Sequence, residues 1–245
     1  MRSFGAVLTV LAAVSPFAIS PAFADPPAHS DSATRVDAAR PDSTHATAPA
    51  LPPKAHQAFD ILRQGDKIGS DALDIDHQAD ATTVKTKTNI SVKVMFIEAY
   101  RYEHNCSETW KNGQLTAFKS QTDDNGTKHA VEIAPSPTPD KLTLIVDGKK
   151  SEVSKAIAPA SLWSKELVTR TELFDPADGK LITIAVKDLG DETLTIQGVN
   201  HKTRHFKLSE KSPGDFDRDL WFEGDSLVRM KMIGSDHSTI LSDLR

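Results

Sequence analysis

His104, Cys106 and Glu108 stand at every second position of segment 100–110, in phase with Tyr100, Tyr102 and Trp110. Imidazole, thiolate and carboxylate all bind zinc. A cysteine beside a histidine, with a carboxylate to orient the ring, is also the arrangement of a thiol nucleophile. Both chemistries meet a geometric objection. Same-face neighbours on a strand lie roughly 6.5–7 Å apart at Cα. Long side chains can reach one metal ion across that distance, but an aligned Cys–His hydrogen bond is hard to form. The plainer reading, and the preferred one, is a mixed face at a sheet edge with Cys106 as a small buried residue. No catalytic residue and no cofactor is assigned, and His104, Cys106 and Glu108 stand only as candidate metal ligands.

Other polar groups give less. Asp215, Asp217 and Asp219 alternate beside Trp221, without the closing Glu of a calcium loop. They read as water-facing acids that protect an edge strand. His201 and His205 would be a metal pair on a helix, but the surrounding residues read as a strand with Phe206 and Leu208 inward, so both histidines point to water. The chain has no Gly-rich phosphate loop, Gly-x-Ser-x-Gly, His-Glu-x-x-His or Cys-x-x-Cys. The formal net charge is −5 with both signs intermixed. The absence of a basic stripe argues against nucleic acid and against electrostatic attachment to anionic lipid.

The elements that must position these groups are strands. In segment 82–98, Val84, Thr86, Thr88, Ile90, Val92, Val94 and Phe96 share one face, and Lys85, Lys87, Asn89, Ser91 and Lys93 the other. A period of two marks a half-buried strand, and so long a strand implies a strongly curved sheet. Turn signals recur around it: Gln64-Gly65, Asn112-Gly113, Asn125-Gly126 and Asp147-Gly148. Gly69 suits a bulge. Residues 159–173 are the one helical candidate, with Ser161 as cap and Leu162, Trp163, Leu167 and Val168 as its apolar stripe, or else an irregular crossover. The expected fold is all-β: an antiparallel meander forming a strongly curved open sheet or half-barrel, with one short helix or crossover near residues 159–173.

The ends add context. Arg2, the apolar run 6–14 and Ala22-Phe23-Ala24 form a secretory signal over residues 1–24. Residues 25–55, rich in Pro and Ala, form a disordered tether, and residues 57–245 form a single β domain. The single cysteine rules out an intramolecular disulfide. The expected location is the bacterial periplasm, as a soluble exported protein.

Four stretches carry a family resemblance: FDILRQGDKIGS (59–70), YRYEHNCSETWKNGQL (100–115), KSQTDDNGTKHAVE (119–132) and DLWFEGDSLVRMKM (219–232). Together they resemble a group of exported bacterial domains of unknown function. More remotely, by architecture only, the curved sheet is similar to that of LolA-type lipoprotein carriers. The resemblance implies a fold and brings no activity or site residue with it. The functional expectation is therefore a non-enzymatic binding or carrier module. Its ligand would be apolar, a lipid or acyl chain, held on a concave face lined by Val92, Val94 and Phe96, with segment 158–173 as a lid. That reading requires a concave apolar cavity of about 300 Å³ or more. The alternative is a structural or protein-interaction module of the cell envelope, and the least favoured is a hydrolase or metal enzyme using His104, Cys106 and Glu108.

Overall fold

A computed structural model describes residues 54–211, 214–234 and 236–245. The signal and nearly all of the tether lie outside the described residues. Strand β1 (Lys54–Arg63) begins slightly ahead of the expected domain start at Gln57.

Fifteen strands form one sheet. After β1 come β2 (Asp66–His77), β3 (Thr82–Val94), β4 (Ile97–Lys111), β5 (Gln114–Asp124), β6 (Thr127–Pro135), β7 (Lys141–Val146) and β8 (Lys149–Ser154). The second half contains β9 (Ala158–Pro159), β10 (Glu172–Phe174), β11 (Leu181–Ile196), β12 (Val199–Glu210), β13 (Asp217–Glu223), β14 (Ser226–Ile233) and β15 (Thr239–Leu244). The meander is as expected, with one addition. The first and last strands pair with each other in mid-sheet, so β8 and β9, adjacent in the chain, become its two edges.

That order dictates the curvature. Laid flat, fifteen strands would span roughly 65 Å at about 4.8 Å per step. Residues 155–157, which join the two edges, reach at most about 14 Å. The sheet must therefore roll almost fully round, yet its edges do not pair and it stays open.

The roll has an inner and an outer face, and residue alternation assigns them. On β4, Tyr102, His104, Cys106, Glu108 and Trp110 are all buried. The segment 157–174 crosses the concave side and plugs one end. Ile157, Ala158, Leu162, Leu167, Val168, Leu173 and Phe174 are buried against Trp110, Leu115, Phe118, Leu142, Leu208 and Leu220. Phe118 and Phe174 meet edge to face, with centroids 4.9 Å apart. The plug is the crossover, not the helix. Ala158 and Pro159 pair in parallel with β10, and Leu162 takes a left-handed backbone, φ +52°. Only a five-residue 3₁₀ turn, Lys165–Thr169, remains, capped by Ser164 and not Ser161. A smaller apolar cluster of Ile61, Ile90 and Tyr102, with Val92, Tyr100 and Ile240, lies towards the other end.

Two further expectations change. The strand expected to run through residue 98 ends at Val94. Met95 and Phe96 form a tight turn with φ of +50° and +68°, and β4 leaves antiparallel. The acids also do not sit at an edge, because β13 lies between β12 and β14. Asp219 is buried, in contact with His205 Nε2 (3.0 Å), Lys231 Nζ (3.1 Å) and Lys207 Nζ (3.3 Å). His205 stacks on Trp221 with centroids 4.2 Å apart, and its Nδ1 lies 2.9 Å from Glu192. These groups tie the outer face together with His205 as a half-buried member, while His201, also half-buried, has its Nδ1 3.0 Å from Glu223 Oε2.

Candidate functional site

The strand register builds the site. One ladder row runs Tyr102, Ile90, Gly69, Ile61, Ser242, Met230, Leu220 from β4 through to β13. The row below it sets His104, Thr88, Asp71 and Phe59 side by side. Gly69 is needed in the first row, since a Cβ there would lie 2.3 Å from the Asn89 carbonyl oxygen. The bulge expected at Gly69 falls beside it, where Ile68 drops out of the β1–β2 pairing.

Inside these rows lies a cavity of about 160 Å³. Ile61, Leu73, Ile90, Phe216, Met230, Met232 and Ile240 supply its apolar wall, and Ala160, Ser161 and residues 175–177 of the crossover close one side. An apolar cavity of about 150 Å³ takes a benzene-sized molecule. The space is therefore too small for a phospholipid and below the volume the sequence reading required. It suits a small ligand or a short acyl segment.

A belt of ionisable groups crosses the apolar wall. Asp71 Oδ1 accepts from Thr88 Oγ1 at 2.7 Å, yet burial pushes its pKa up to about 6. Asp175 Oδ1 accepts from the Ala177 amide at 2.8 Å, and burial raises its pKa too. His104 Nδ1 is 2.9 Å from Thr122 Oγ1, and burial lowers its pKa to about 4, which keeps the ring neutral. Burial likewise holds the Cys106 thiol up at about 12, so it is not a nucleophile at neutral pH.

Arg218 is the one lysine or arginine among the residues lining the cavity. It is half-buried, with its guanidinium 4.7 Å above the Phe216 ring and its Nη1 donating to the Asp217 carbonyl at 2.8 Å. Burial works against its charge, while the charges of Asp175 and Asp217 favour it. Among the described residues no carboxylate lies within ion-pair distance of it. Its remaining donors are available to an anion in the cavity.

The three residues of the sequence motif do share an inward face, but they do not converge. His104 is held by Thr122, Cys106 lies against Thr86, and Glu108 lies deeper, under the crossover. Glu108 is fully buried, and its Oε2 accepts from Trp110 Nε1 at 2.8 Å and from Trp163 Nε1 at 3.0 Å. Burial raises its pKa against the pull of Ser161 and the two indoles. The Ser161 hydroxyl lies near enough to act on the carboxyl, yet neither its Oγ nor Glu108 Oε1 has a hydrogen-bond partner among the described residues. Among the described residues, no three His, Cys, Asp or Glu side chains are placed to hold a metal.

Of the expected pocket lining, Val92 packs with Ile61, Ile90 and Tyr102 on the turn side of the cavity. The side chain of Val94 lies outside the described part of the structure. Phe96 is fully exposed at the β3–β4 turn and lines nothing. Its phase along β3 pointed inward, but the turn carries it off the strand. Arg218, Asp71 and Asp175 were missed. The first two had a signal: Arg218 alternates in phase with Leu220 and Phe222, and Asp71 with Leu73 and Ile75, so each puts a charge on an apolar face.

Among the described residues no helix is long and apolar enough to cross a membrane. A comparison with curated proteins finds no match. Among solved structures, the fold is similar to a beta-barrel-like protein of the domain of unknown function DUF1849 from Brucella abortus. The TM-score is 0.55 at 9% identity, with 78% of this chain and 95% of that one covered. Such a likeness speaks to the fold alone. The family model of DUF6134, a domain of unknown function, matches residues 59–245, and the chain belongs to that family.

Proposed function

We propose that this protein is a non-enzymatic binding module for a small apolar ligand with an anionic head group, such as a medium-chain carboxylate. The observation that carries the reading is the Arg218 guanidinium, which makes a backbone hydrogen bond but no ion pair among the described residues, in the wall of an otherwise largely apolar cavity. Apolar walls with a few placed polar groups are the usual character of small-molecule sites. Charge-assisted contacts to an arginine can be bidentate and orient the head. The secretory signal read from residues 1–24 supports export to the periplasm.

Calorimetric titration with alkanoates of six to ten carbons, beside the matching alcohols, tests the proposal. Carboxylates should bind more tightly than alcohols of equal length. Arg218→Met should erase that preference, weakening carboxylates about tenfold to a hundredfold, as expected for a hydrogen bond to a charged group. A variant that binds carboxylates as tightly as the wild-type protein would remove Arg218 as anchor. No binding of either series to the wild-type protein would remove the ligand-binding reading itself.

A further inference from the structure

The chain contains an internal standard for its tight turns. Gln64-Gly65, Asn112-Gly113, Asn125-Gly126, Asp147-Gly148 and Gln197-Gly198 all join neighbouring strands with positive φ at both residues, and each places glycine second. The β3–β4 turn has the same left-handed backbone, φ +50° and +68°, but carries Met95 and Phe96. Bulky side chains are disfavoured there, and Asn-Gly would close the hairpin with less strain. The substitution gains nothing inside the fold. Met95 is 85% exposed, Phe96 100% and the following Ile97 72%.

We propose that the Met95-Phe96-Ile97 tip inserts into the interfacial region of a lipid bilayer. Three consecutive side chains fall short of the roughly 800 Å² per partner that a stable protein interface takes. A bilayer accepts an apolar finger without shape complementarity, and phenylalanine and isoleucine suit that depth. The collar behind the tip carries no excess of positive charge. Lys93 and Arg101 are offset by Glu98 and Glu103, with Arg101 Nη2 2.5 Å from Glu103 Oε1 and Ser91 Oγ donating to Glu98 Oε2 at 2.9 Å, and Asp123 also acts on Arg101. Such a hydrated collar stops insertion at head-group depth and selects a zwitterionic surface over an anionic one. The tip also continues the strands that wall the cavity. Val92 pairs with Tyr100 and Ile90 with Tyr102, and the last two line it. The proposal does not depend on what the cavity binds.

The test uses the full chain and local reporters. The buried thiol of Cys106 leaves an introduced cysteine as the site that labels. Ile97→Cys carries the environment-sensitive fluorophore NBD, and Val199→Cys, exposed at the opposite end of the rolled sheet, is the control. With phosphatidylcholine/phosphatidylethanolamine vesicles, the label at 97 should shift to shorter wavelength and be quenched by brominated acyl chains, while the label at 199 should not change. Placing Met95→Asn and Phe96→Gly in the Ile97→Cys background restores the chain's usual turn and preserves folding. Partitioning read at 97 should fall at least about tenfold. A label at 97 that stays in water at saturating lipid overturns the proposal. So does equal partitioning with Asn-Gly in the turn, or insertion that requires anionic lipid.

Discussion

Glu108→Gln should stabilise the protein at neutral pH. The wild-type side chain is fully buried, and burial raises its pKa above the ordinary carboxyl value. The native state therefore holds its proton to higher pH than the unfolded chain does. The stability linked to Glu108 is complete below the unfolded pKa of 4.5 and is lost as pH rises through the raised native value. Glutamine removes that loss. Its carbonyl can keep both indole N–H bonds, now made to Oε2 at 2.8 and 3.0 Å, and its amide can donate to the orphaned Ser161 Oγ. A new hydrogen bond adds about 1 kcal/mol. The gain should be largest at pH 7–8 and should shrink to about that 1 kcal/mol below pH 4.5, where the proton-linked part vanishes. Glu108→Leu is the counterpart. It leaves the buried Trp110 indole without its acceptor, at about 1–3 kcal/mol, and the half-buried Trp163 indole likewise at less, so it should be less stable than the glutamine variant at every pH. Urea unfolding of the three proteins between pH 4 and 8 measures both. A glutamine variant less stable than wild type at pH 7.5 would show that Glu108 is held ionised, contrary to the effect of its burial.

Asp71→Asn should also stabilise, with its own pH window. The native pKa of about 6 exceeds the unfolded 3.8, so the aspartate's stability is full below 3.8 and falls as pH rises through 6. Two units correspond to about 3 kcal/mol as an upper bound, and asparagine can still accept from Thr88 Oγ1. A pH-independent difference between variant and wild type in thermal melts would contradict the burial argument. For export, intact-mass measurement of protein released by osmotic shock should give a chain beginning at Asp25, and recovery of only full-length chain in the cytosolic fraction would oppose it.

The sequence carried the elements well wherever a turn had its own residues. Asn112-Gly113, Asn125-Gly126 and Asp147-Gly148 each end strands as read. It failed at Met95-Phe96, where neither residue favours the conformation it adopts, so an unbroken alternation ran past the true end of β3. Period two also placed His104, Cys106 and Glu108 on one inward face. It could not show that Trp163 reaches Glu108 from the crossover, nor that Arg218 joins the cavity wall from a strand on the far side of β1, because both come from remote segments. The mid-sheet pairing of β1 with β15 is equally invisible to local pattern. Nothing in either strand encodes the other until the edges are brought round by the short link at residues 155–157.

The inward face of the β3–β4 pair changes character along its length, and the order of the changes bears on function. At the plugged end Trp110, Leu115 and the crossover form a dense apolar layer, and Glu108 is held within it. Nearer the Met95-Phe96 turn, Ile90 and Tyr102 form a second apolar layer. Between them Asp71 and His104 meet the cavity, and Asp175 of the crossover side and Arg218 of β13, beside Met232, line it with them. A sheet selected only to stay folded would close this gap, since well-packed apolar residues are often at least as stable as buried charges. Two carboxyls with raised pKa, and a guanidinium that feels Asp175 without forming an ion pair with it, leave these charges only partly compensated in place. Natural proteins tend to keep such local costs at functional sites. On the proposed function a ligand completes the belt, and the arginine sets the charge that ligand must carry.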